Sequence, residues 1–313
     1  MRNCLLRWTL VGMGGLLLAA GSATAQQMEP RAYSNAPVGM NFLIGGYVRA
    51  SGGYAADPSL PLTDAHLKLE TPVLAYARAF DAWGKSAKFD VIVPGGCVSG
   101  SALFNGAPVS RDVCGLLDPA ARVSVNFYGA PALDLKAFGA YQQDLIIGGS
   151  LQVQAPLGQY DPSRLINLGN NRWAFRPEVG LSKALGELTV ELTQGVTLFT
   201  TNHDFFGGKT REQDPIYSTQ LHLIYQFRNG VWAAFNATYY SGGRTTVNGA
   251  QANDELGNSR AGLTVALPVN RQNSISCMRA RAFRCEPGTA LTSSASPGST
   301  AGAADFSAGS SGE

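Results

Sequence analysis

Residues 203–210 contain the best candidates for chemistry in this sequence. His203 stands beside Asp204, and Gly207-Gly208-Lys209-Thr210 is similar to the end of a phosphate-binding P-loop. The P-loop motif requires a glycine at the position that His203 occupies, so the similarity does not extend to a phosphate site. No G-x-S-x-G nucleophile turn occurs in the sequence. We therefore predict no catalytic residues and no enzyme activity.

Cysteine and histidine are common metal ligands, and both are sparse in this chain. The histidines His66, His203 and His222 are far apart, and no C-x-x-C pair occurs. We predict no metal site and no cofactor. If the chain is exported, Cys97 and Cys114 can form a disulfide across a segment rich in Gly, Ser and Pro, with two free thiols as the alternative.

The loop at 201–215 is the best candidate for a ligand site or a gate. It combines two adjacent aromatic residues with charges of both signs: Phe205, Phe206, Lys209, Arg211, Glu212 and Asp214. Such a loop can cap a pore and meet an apolar ring. The alternative is a loop that folds on itself through ion pairs between these charges.

Alternation of apolar and polar residues predicts the elements that position this loop. In 187–199, Leu188, Val190 and Leu192 share one face, whereas Thr189 and Glu191 share the other. This period of two is the strand signal. It predicts ten strands, at 41–49, 65–79, 87–93, 121–128, 144–154, 172–182, 187–199, 216–227, 230–240 and 258–267.

The connections between these strands alternate between short turns and long polar loops. Short or medium links fall near 80–86, 129–140, 183–187, 228–230 and 268–273, and long links at 50–64, 94–119, 156–171, 201–215 and 241–257. Together with the alternating strands they predict an all-β, transmembrane antiparallel β-barrel of the outer membrane. The alternative is a soluble secreted β-sandwich or lipocalin-like barrel, whose apolar face would point inward.

Charged residues on the polar strand faces are expected to line the barrel lumen. The most informative are Arg122, Arg176, Glu178, Glu191, His222 and Arg260; alternation also assigns Lys68, Glu70, Arg78, Lys88 and Asp90 to this face. Mixed charges suit a lumen filled by its own side chains, which we favour for most of them, or a polar pathway. Aromatic residues near strand ends are expected in the interfacial belts: Trp173, Tyr217, Trp232, Tyr239 and Tyr240.

The composition and the N-terminus agree with export. The 313 residues include 37 glycines and only 15% charged side chains, against roughly 25% in ordinary soluble domains. Residues 1–25 resemble a secretory signal peptide, with Arg2 and Arg7 before an apolar core and Ala23-Thr24-Ala25 at the cleavage site. Its removal takes the basic residues from 24 to 22, equal to the 22 acidic ones. A neutral mature chain argues against a nucleic-acid partner.

Several longer stretches resemble a known family. They are Ala32–Leu43, Asn126–Leu133, Leu151–Pro162, Asn170–Trp173 and, most specifically, Asp204–Pro215. These stretches are similar to the family labelled "putative MetA-pathway of phenol degradation", a group of Gram-negative outer-membrane proteins often called transporters. The resemblance covers roughly residues 30–275. It implies an outer-membrane barrel linked by name to the uptake of aromatic compounds.

The sequence changes character near Ser276. Residues 286–313 are mostly Gly, Ala, Ser, Thr and Pro, which is typical of a disordered tail. We hypothesise a frameshift instead, because permitted codons for 291–302, read two bases on, spell D-L-V-G-V-A-W-Q-Y-R-W, a terminal barrel strand. An intact relative would then have twelve strands, of which this chain keeps ten and is expected to assemble poorly.

The sequence therefore predicts a signal peptide at 1–25, a barrel at 26–275 and an aberrant tail at 276–313. We expect an outer-membrane channel for passive uptake of small molecules, aromatic or hydrophobic ones among them. A non-transporting structural or adhesion barrel and a soluble ligand-binding protein are the alternatives. The expected partners are the lipid bilayer, the outer-membrane assembly machinery and a small-molecule solute.

Overall fold

The computed structural model describes residues 29–54, 62–104, 106–270, 273–286, 289–294 and 300–305. The predicted signal peptide lies outside these residues. The regular secondary structure of the described chain is almost entirely β, with one short α-helix, α1 (Leu135–Phe138), and one 3-10 turn at Arg228–Gly230. The strands are β1 (Asn41–Tyr54), β2 (Leu62–Ala82), β3 (Lys85–Phe104), β4 (Ala107–Leu116), β5 (Ala120–Tyr128), β6 (Leu145–Gln154), β7 (Ala174–Leu185), β8 (Leu188–Phe199), β9 (Asn202–Phe205), β10 (Lys209–Gln213), β11 (Ile216–Gln226), β12 (Trp232–Gly242), β13 (Thr245–Val247), β14 (Ala250–Gln251), β15 (Leu256–Pro268), β16 (Asn273–Glu286), β17 (Thr289–Ser294) and β18 (Thr300–Asp305). No helix in the described ranges is long and apolar enough to cross a membrane.

Twelve of these strands close into an antiparallel ring. Its order is β1-β2-β3-β5-β6-β7-β8-β11-β12-β15-β16-β18, and β18 pairs with β1 to complete the circle. The ten strands from β1 to β15 coincide with the ten predicted from alternation. Closure satisfies the backbone groups that an open edge would expose to lipid. The predicted transmembrane antiparallel barrel is confirmed.

The apolar face of the barrel points outward. Leu223, Phe235 and Leu263 lie opposite one another on β11, β12 and β15, and all three are exposed. Their neighbours in sequence, such as His222 and Asn236, are buried in the interior. A soluble barrel would bury the first set, so the outward apolar face excludes the soluble alternative and places the chain in the outer membrane.

Strand β2 corrects three predicted lumen positions. Lys68, Glu70 and Arg78 lie on the outer face, in register with Ser51, Arg49 and Asn41 of β1, respectively. The sequence alternation is ambiguous here because apolar residues occupy both faces of β2. The strand has 21 residues, whereas roughly 9–11 suffice to cross a bilayer, so outward charges can lie on this strand outside the apolar band.

Short turns gather at one end of the barrel and long loops at the other. The β2–β3 turn consists of Trp83 and Gly84, with φ angles of 55° and 76°, as a two-residue hairpin turn requires. At the opposite end β9 and β10 form a hairpin, and so do β13 and β14. β10 pairs with β13, so these hairpins form one small sheet.

The sheet continues past Ser276. Sequence analysis predicts an irregular tail there, whereas β16 pairs with β15 along its length and β18 pairs with both β16 and β1. Strand β16 places Arg279 opposite Leu263 on the lipid-facing side. Arginine on that face is unfavourable. The frameshift concerns the gene and stays a prediction.

Candidate functional site: an occupied lumen and a covered outer mouth

The segment at 29–40, which we call the N-terminal segment, enters the barrel from the short-turn end. Val38 donates its backbone N–H to the carbonyl of Leu133 (2.8 Å), and the Asn35 side chain donates to the carbonyl of Pro131 (3.2 Å). Both acceptors lie in the β5–β6 connection. From there the chain runs into the lumen toward Glu29.

Tyr33 anchors this segment against the barrel wall. Its ring packs on Gly148 of β6 and Gly180 of β7, where a Cβ atom on either glycine would overlap the ring. Its hydroxyl donates to Glu178 Oε1 (3.1 Å), and its carbonyl accepts from the Asn126 side chain (3.1 Å). Burial raises the pKa of the Tyr33 hydroxyl, and the neighbouring charge of Glu178 adds to the shift. Tyr33 therefore remains neutral and donates this hydrogen bond.

Glu29 forms an ion pair deep in the lumen. Its Oε2 accepts from Arg122 Nη1, and the Nε of the same arginine donates to Asp90 Oδ2 (2.9 Å). Lys88 donates to the carbonyl of Ala32 (2.5 Å). Burial alone would raise the pKa of Glu29, but the charge and hydrogen bond of Arg122 lower it below its usual value. Glu29 is thus an anion held among cations of the wall.

Arg31 fixes the segment on the opposite strands. Its backbone N–H donates to Glu191 Oε2 (2.7 Å), and its Nη2 donates to Gln226 Oε1 (2.5 Å). Its guanidinium lies 5.0 Å from the ring centroid of Trp232. Trp232 therefore faces the lumen. The prediction of a belt position for Trp232, made from its place near a strand end, is wrong.

The remaining polar side chains of the wall bond mainly to one another. His222 Nδ1 and Asn236 Oδ1 lie 2.7 Å apart, and Asn236 donates to Thr264 Oγ1 (2.8 Å). Arg176 donates to Glu178 Oε2 (2.8 Å) on the same strand. A small polar cavity remains between these groups and the N-terminal segment, lined by Glu29, Ala32, Arg122, Ser150, Gln152, Arg176, Glu178, Thr193 and Gln220.

Apolar side chains fill the lumen at the long-loop end, which we call the outer mouth. Ile216, Tyr240 and Leu256 form a buried cluster on three adjacent strands, and Phe199 packs against it. The Tyr240 side chain has no exposed surface. The prediction of a belt position for Tyr240 is therefore wrong, because its strand phase turns it inward. Trp173, Tyr217 and Tyr239 do lie on the exposed outer face.

The long loops cover this mouth and are tied together by Asp118. Its carboxylate accepts from the backbone N–H of Gly158 (2.9 Å) and of Asn170 (2.7 Å). Tyr160 of the same loop donates to the carbonyl of Asp204 in β9 (2.9 Å). The loop at 155–173 is thereby joined to the small sheet.

The six predicted gate residues all lie in or beside the β9–β10 hairpin. Phe205 is buried beneath Arg211, whose Cζ lies 5.1 Å from its ring centroid. Glu212 and Asp214 are exposed, whereas Phe206 and Lys209 are half-buried. In the described part of the chain none of these charges forms an ion pair within 4.0 Å; the loop is ordered by backbone pairing of β10 with β9 and β13.

The six predicted lumen residues, Arg122, Arg176, Glu178, Glu191, His222 and Arg260, are on inward-facing positions of the wall. Cys97 and Cys114 lie opposite each other on β3 and β4, with their Cα atoms 4.1 Å apart. We propose that this disulfide forms in the exported chain. Within the described ranges no cluster of His, Cys, Asp and Glu is suited to a metal ion.

With this geometry the family can be assigned. The model of the family described as "Putative MetA-pathway of phenol degradation" matches residues 48–286. The chain belongs to this family. The match extends past Ser276 and through β16. It begins at Val48, so the N-terminal segment lies outside the matched range.

Solved structures share the barrel of this MetA-pathway family member. The chain is similar to the COG4313 outer membrane channel from Pseudomonas putida F1, with a TM-score of 0.70 and 19% identity over 90% of this chain and 100% of the other. It is also similar to the transport unit of the autotransporter AIDA-I from Escherichia coli, with a TM-score of 0.50 and 8% identity over 91% and 94% of the two chains. At these identities the likeness concerns the fold. A search of curated proteins finds no match.

Sequence patterns missed the N-terminal segment as part of the site. Glu29, Arg31 and Tyr33 precede the first strand and show no strand periodicity. One signal was present: Gly148 and Gly180 stand inside otherwise regular strands, where glycine often marks the close approach of another group.

Proposed function

We propose that this chain is an outer-membrane channel for the passive uptake of small solutes, aromatic or hydrophobic ones among them. In the closed state that we propose, the N-terminal segment occupies the lumen. The observation that carries the proposal is that a separate piece of chain fills the lumen. Barrels of eight strands can be filled by the side chains of their own wall. A ring of twelve is wider, and here Glu29, Arg31 and Tyr33 supply the filling.

The contacts of this segment suit reversible displacement. Apart from the apolar packing of Tyr33 and Ala32 and the contact of Arg31 with the Trp232 ring, they are hydrogen bonds and ion pairs to polar wall groups. When the segment leaves, Arg122, Glu178 and Glu191 would face water in a hydrated pore. If the plug and the wall were apolar, departure of the plug would expose apolar wall surface to water, at a larger cost in free energy.

The family assignment is consistent with this proposal. The Pseudomonas putida F1 structure is described as an outer membrane channel, and we extend that activity to this chain. The barrel is expected to reach the membrane through the outer-membrane assembly machinery. The identity of the solute is part of the proposal and rests on the family description alone.

Single-channel conductance in planar bilayers tests the proposal. We expect the full chain to conduct weakly and a variant lacking residues 29–36 to conduct severalfold more. Tyr33→Ala should have an intermediate effect, and the matched control Tyr239→Ala, on the exposed outer face, should have none. Heat-modifiable gel mobility verifies that each barrel is folded. Folded barrels that conduct no more than bare lipid, with or without the segment, would overturn the channel.

A non-transporting barrel with a structural or adhesive role is the second candidate. The buried cluster of Ile216, Tyr240 and Leu256 at the outer mouth favours it, because these apolar side chains occupy part of the lumen there. Liposome swelling with phenol-sized solutes separates the two functions. If removal of residues 29–36 leaves the rate of swelling unchanged, the structural role is favoured.

A further inference from the structure

Arg172 is a buried cation at the outer mouth with an unused donor. It precedes β7, and only 4% of its surface is exposed. Its Nη2 donates to Gln213 Oε1, and its Cζ lies 4.3 Å from the ring centroid of Phe199. Its Nη1 is buried without a hydrogen-bond partner among the described residues. A buried guanidinium with an unsatisfied N–H donor destabilises the fold unless a bound acceptor takes that hydrogen bond.

Arg211 lies next to it. Arg211 and Gln213 are two residues apart on β10 and so share a face, which brings Arg211 beside the group that Arg172 contacts. The Nε of Arg211 is also buried without a partner in the described chain. Burial, followed by the charge of Arg211, lowers the pKa of Arg172 to about 9. Arg172 therefore still carries a positive charge at neutral pH.

The surroundings do not neutralise this pair fully. No carboxylate in the described ranges lies within 4.0 Å of either guanidinium. Asp118 is a buried acid whose charge raises the pKa of Arg172, and its oxygens already accept from Gly158 and Asn170. Two arginines and this one buried aspartate leave a net charge of +1. One monoanion would balance it.

Neutral polar groups and aromatic rings complete the surroundings. Asn202 lies opposite Arg211 in the hairpin and donates to the hydroxyl of Tyr160 (3.1 Å). The guanidinium of Arg172 lies over the ring of Phe199, and that of Arg211 lies over the ring of Phe205. The site thus offers planar donors for an oxyanion beside apolar surface for a ring.

We propose that Arg172 and Arg211 bind the carboxylate of a small aromatic acid at the outer mouth. Guanidinium groups match the geometry of a carboxylate with paired hydrogen bonds. A monocarboxylate fits the net charge of the cluster better than a phosphate dianion does. The role of this site in uptake rests on the proposed channel function, whereas binding itself does not require conductance.

Calorimetry on the folded, detergent-solubilised full chain tests the proposal, with benzoate, phenol and inorganic phosphate as probes. Benzoate should bind, and phenol, which lacks the carboxylate, should bind at least about tenfold more weakly. Arg172→Gln and Arg211→Gln should each weaken benzoate binding about tenfold. Arg172→Lys keeps the charge but loses the paired N–H donors of the guanidinium. Its affinity for benzoate should lie between that of the two glutamine variants and that of the native chain. The matched control is Arg164→Gln, an exposed arginine of the same loop.

Each outcome has one meaning. Equal affinity of the native chain and Arg172→Gln for benzoate would overturn the site, as would equal affinity for phenol and benzoate. Tighter binding of phosphate would overturn the assignment to a carboxylate. Heat-modifiable mobility separates loss of binding from loss of folding. Benzoate binding without conductance would support this site and overturn the channel; conductance without binding would do the reverse.

Discussion

Gly148 and Gly180 lie directly opposite each other on β6 and β7, and the ring of Tyr33 rests against both. Two facing glycines leave a flat patch on the inner wall, because neither strand contributes a side chain there. The patch positions the N-terminal segment in the lumen, and the hydrogen bonds of Glu178 and Asn126 then fix its orientation.

Gly180→Val should displace Tyr33 and open the lumen. The new side chain would occupy the space of the ring, so we expect conductance to rise toward that of the chain lacking residues 29–36. The matched control is Gly45→Val on β1, where a Cβ meets no atom within 4 Å. Unchanged conductance in folded Gly180→Val protein would show that the packing of the Tyr33 ring on Gly180 does not hold the segment in the lumen.

Acid should release the segment only at low pH. The pKa of Glu29 lies below its usual 4.5, because Arg122 and, at longer range, Arg176 and Lys88 stabilise its anion. A lowered pKa in the closed state adds stability above pH 4.5 that is lost as the pH falls through the lowered value. We therefore expect equal conductance at pH 7 and 5 and a rise below about pH 4.

Glu29→Gln isolates this contribution from that of Asp90 and the other wall carboxylates. The variant lacks the anion at every pH, so its conductance at pH 7 should exceed that of the native chain. The difference between the two should vanish in acid. A difference that persists unchanged at pH 3 would show that the Glu29 charge does not hold the segment.

Asp118→Asn should loosen the loops over the outer mouth. The change removes the charge that accepts from Gly158 and Asn170, and hydrogen bonds to charged groups contribute about 2 kcal/mol each. We expect faster proteolysis within 155–173, measured on the folded barrel. Asp134→Asn is the control, because Asp134 caps α1 at the other end and asparagine caps helices equally well. Equal cleavage rates would contradict the role of Asp118.

Arg279→Leu should stabilise the barrel. Arg279, Leu263, Phe235 and Leu223 follow one another across four strands on the lipid-facing side, and an arginine near the bilayer midplane costs about 2–4 kcal/mol. Urea titration in liposomes should show a gain of that order. Arg49→Leu is the control, since that change would break the ion pair of Arg49 with Glu70 at 3.5 Å. No gain in Arg279→Leu would place this residue outside the hydrocarbon.

The position of Arg279 also bears on the frameshift hypothesis. We expect the gene, sequenced through the codon for Ser276, to carry the overlapping codons that spell the terminal strand. A protein made in that frame should assemble more completely than this chain. A gene without those codons would contradict the hypothesis.

The sequence by itself determined the barrel and most of its two faces. Side chains alternate across a strand, so the local pattern alone predicts that Leu223 faces the lipid and His222 faces the lumen. That pattern fails where both faces carry apolar residues, as in β2, and where strand phase places a terminal aromatic such as Tyr240 inside. Only the tertiary structure decided what fills the lumen and which loops meet. The approach of Tyr33 to Gly180, and of Arg172 to Arg211, depends on closure of the ring, and no local periodicity encodes a contact between such distant positions.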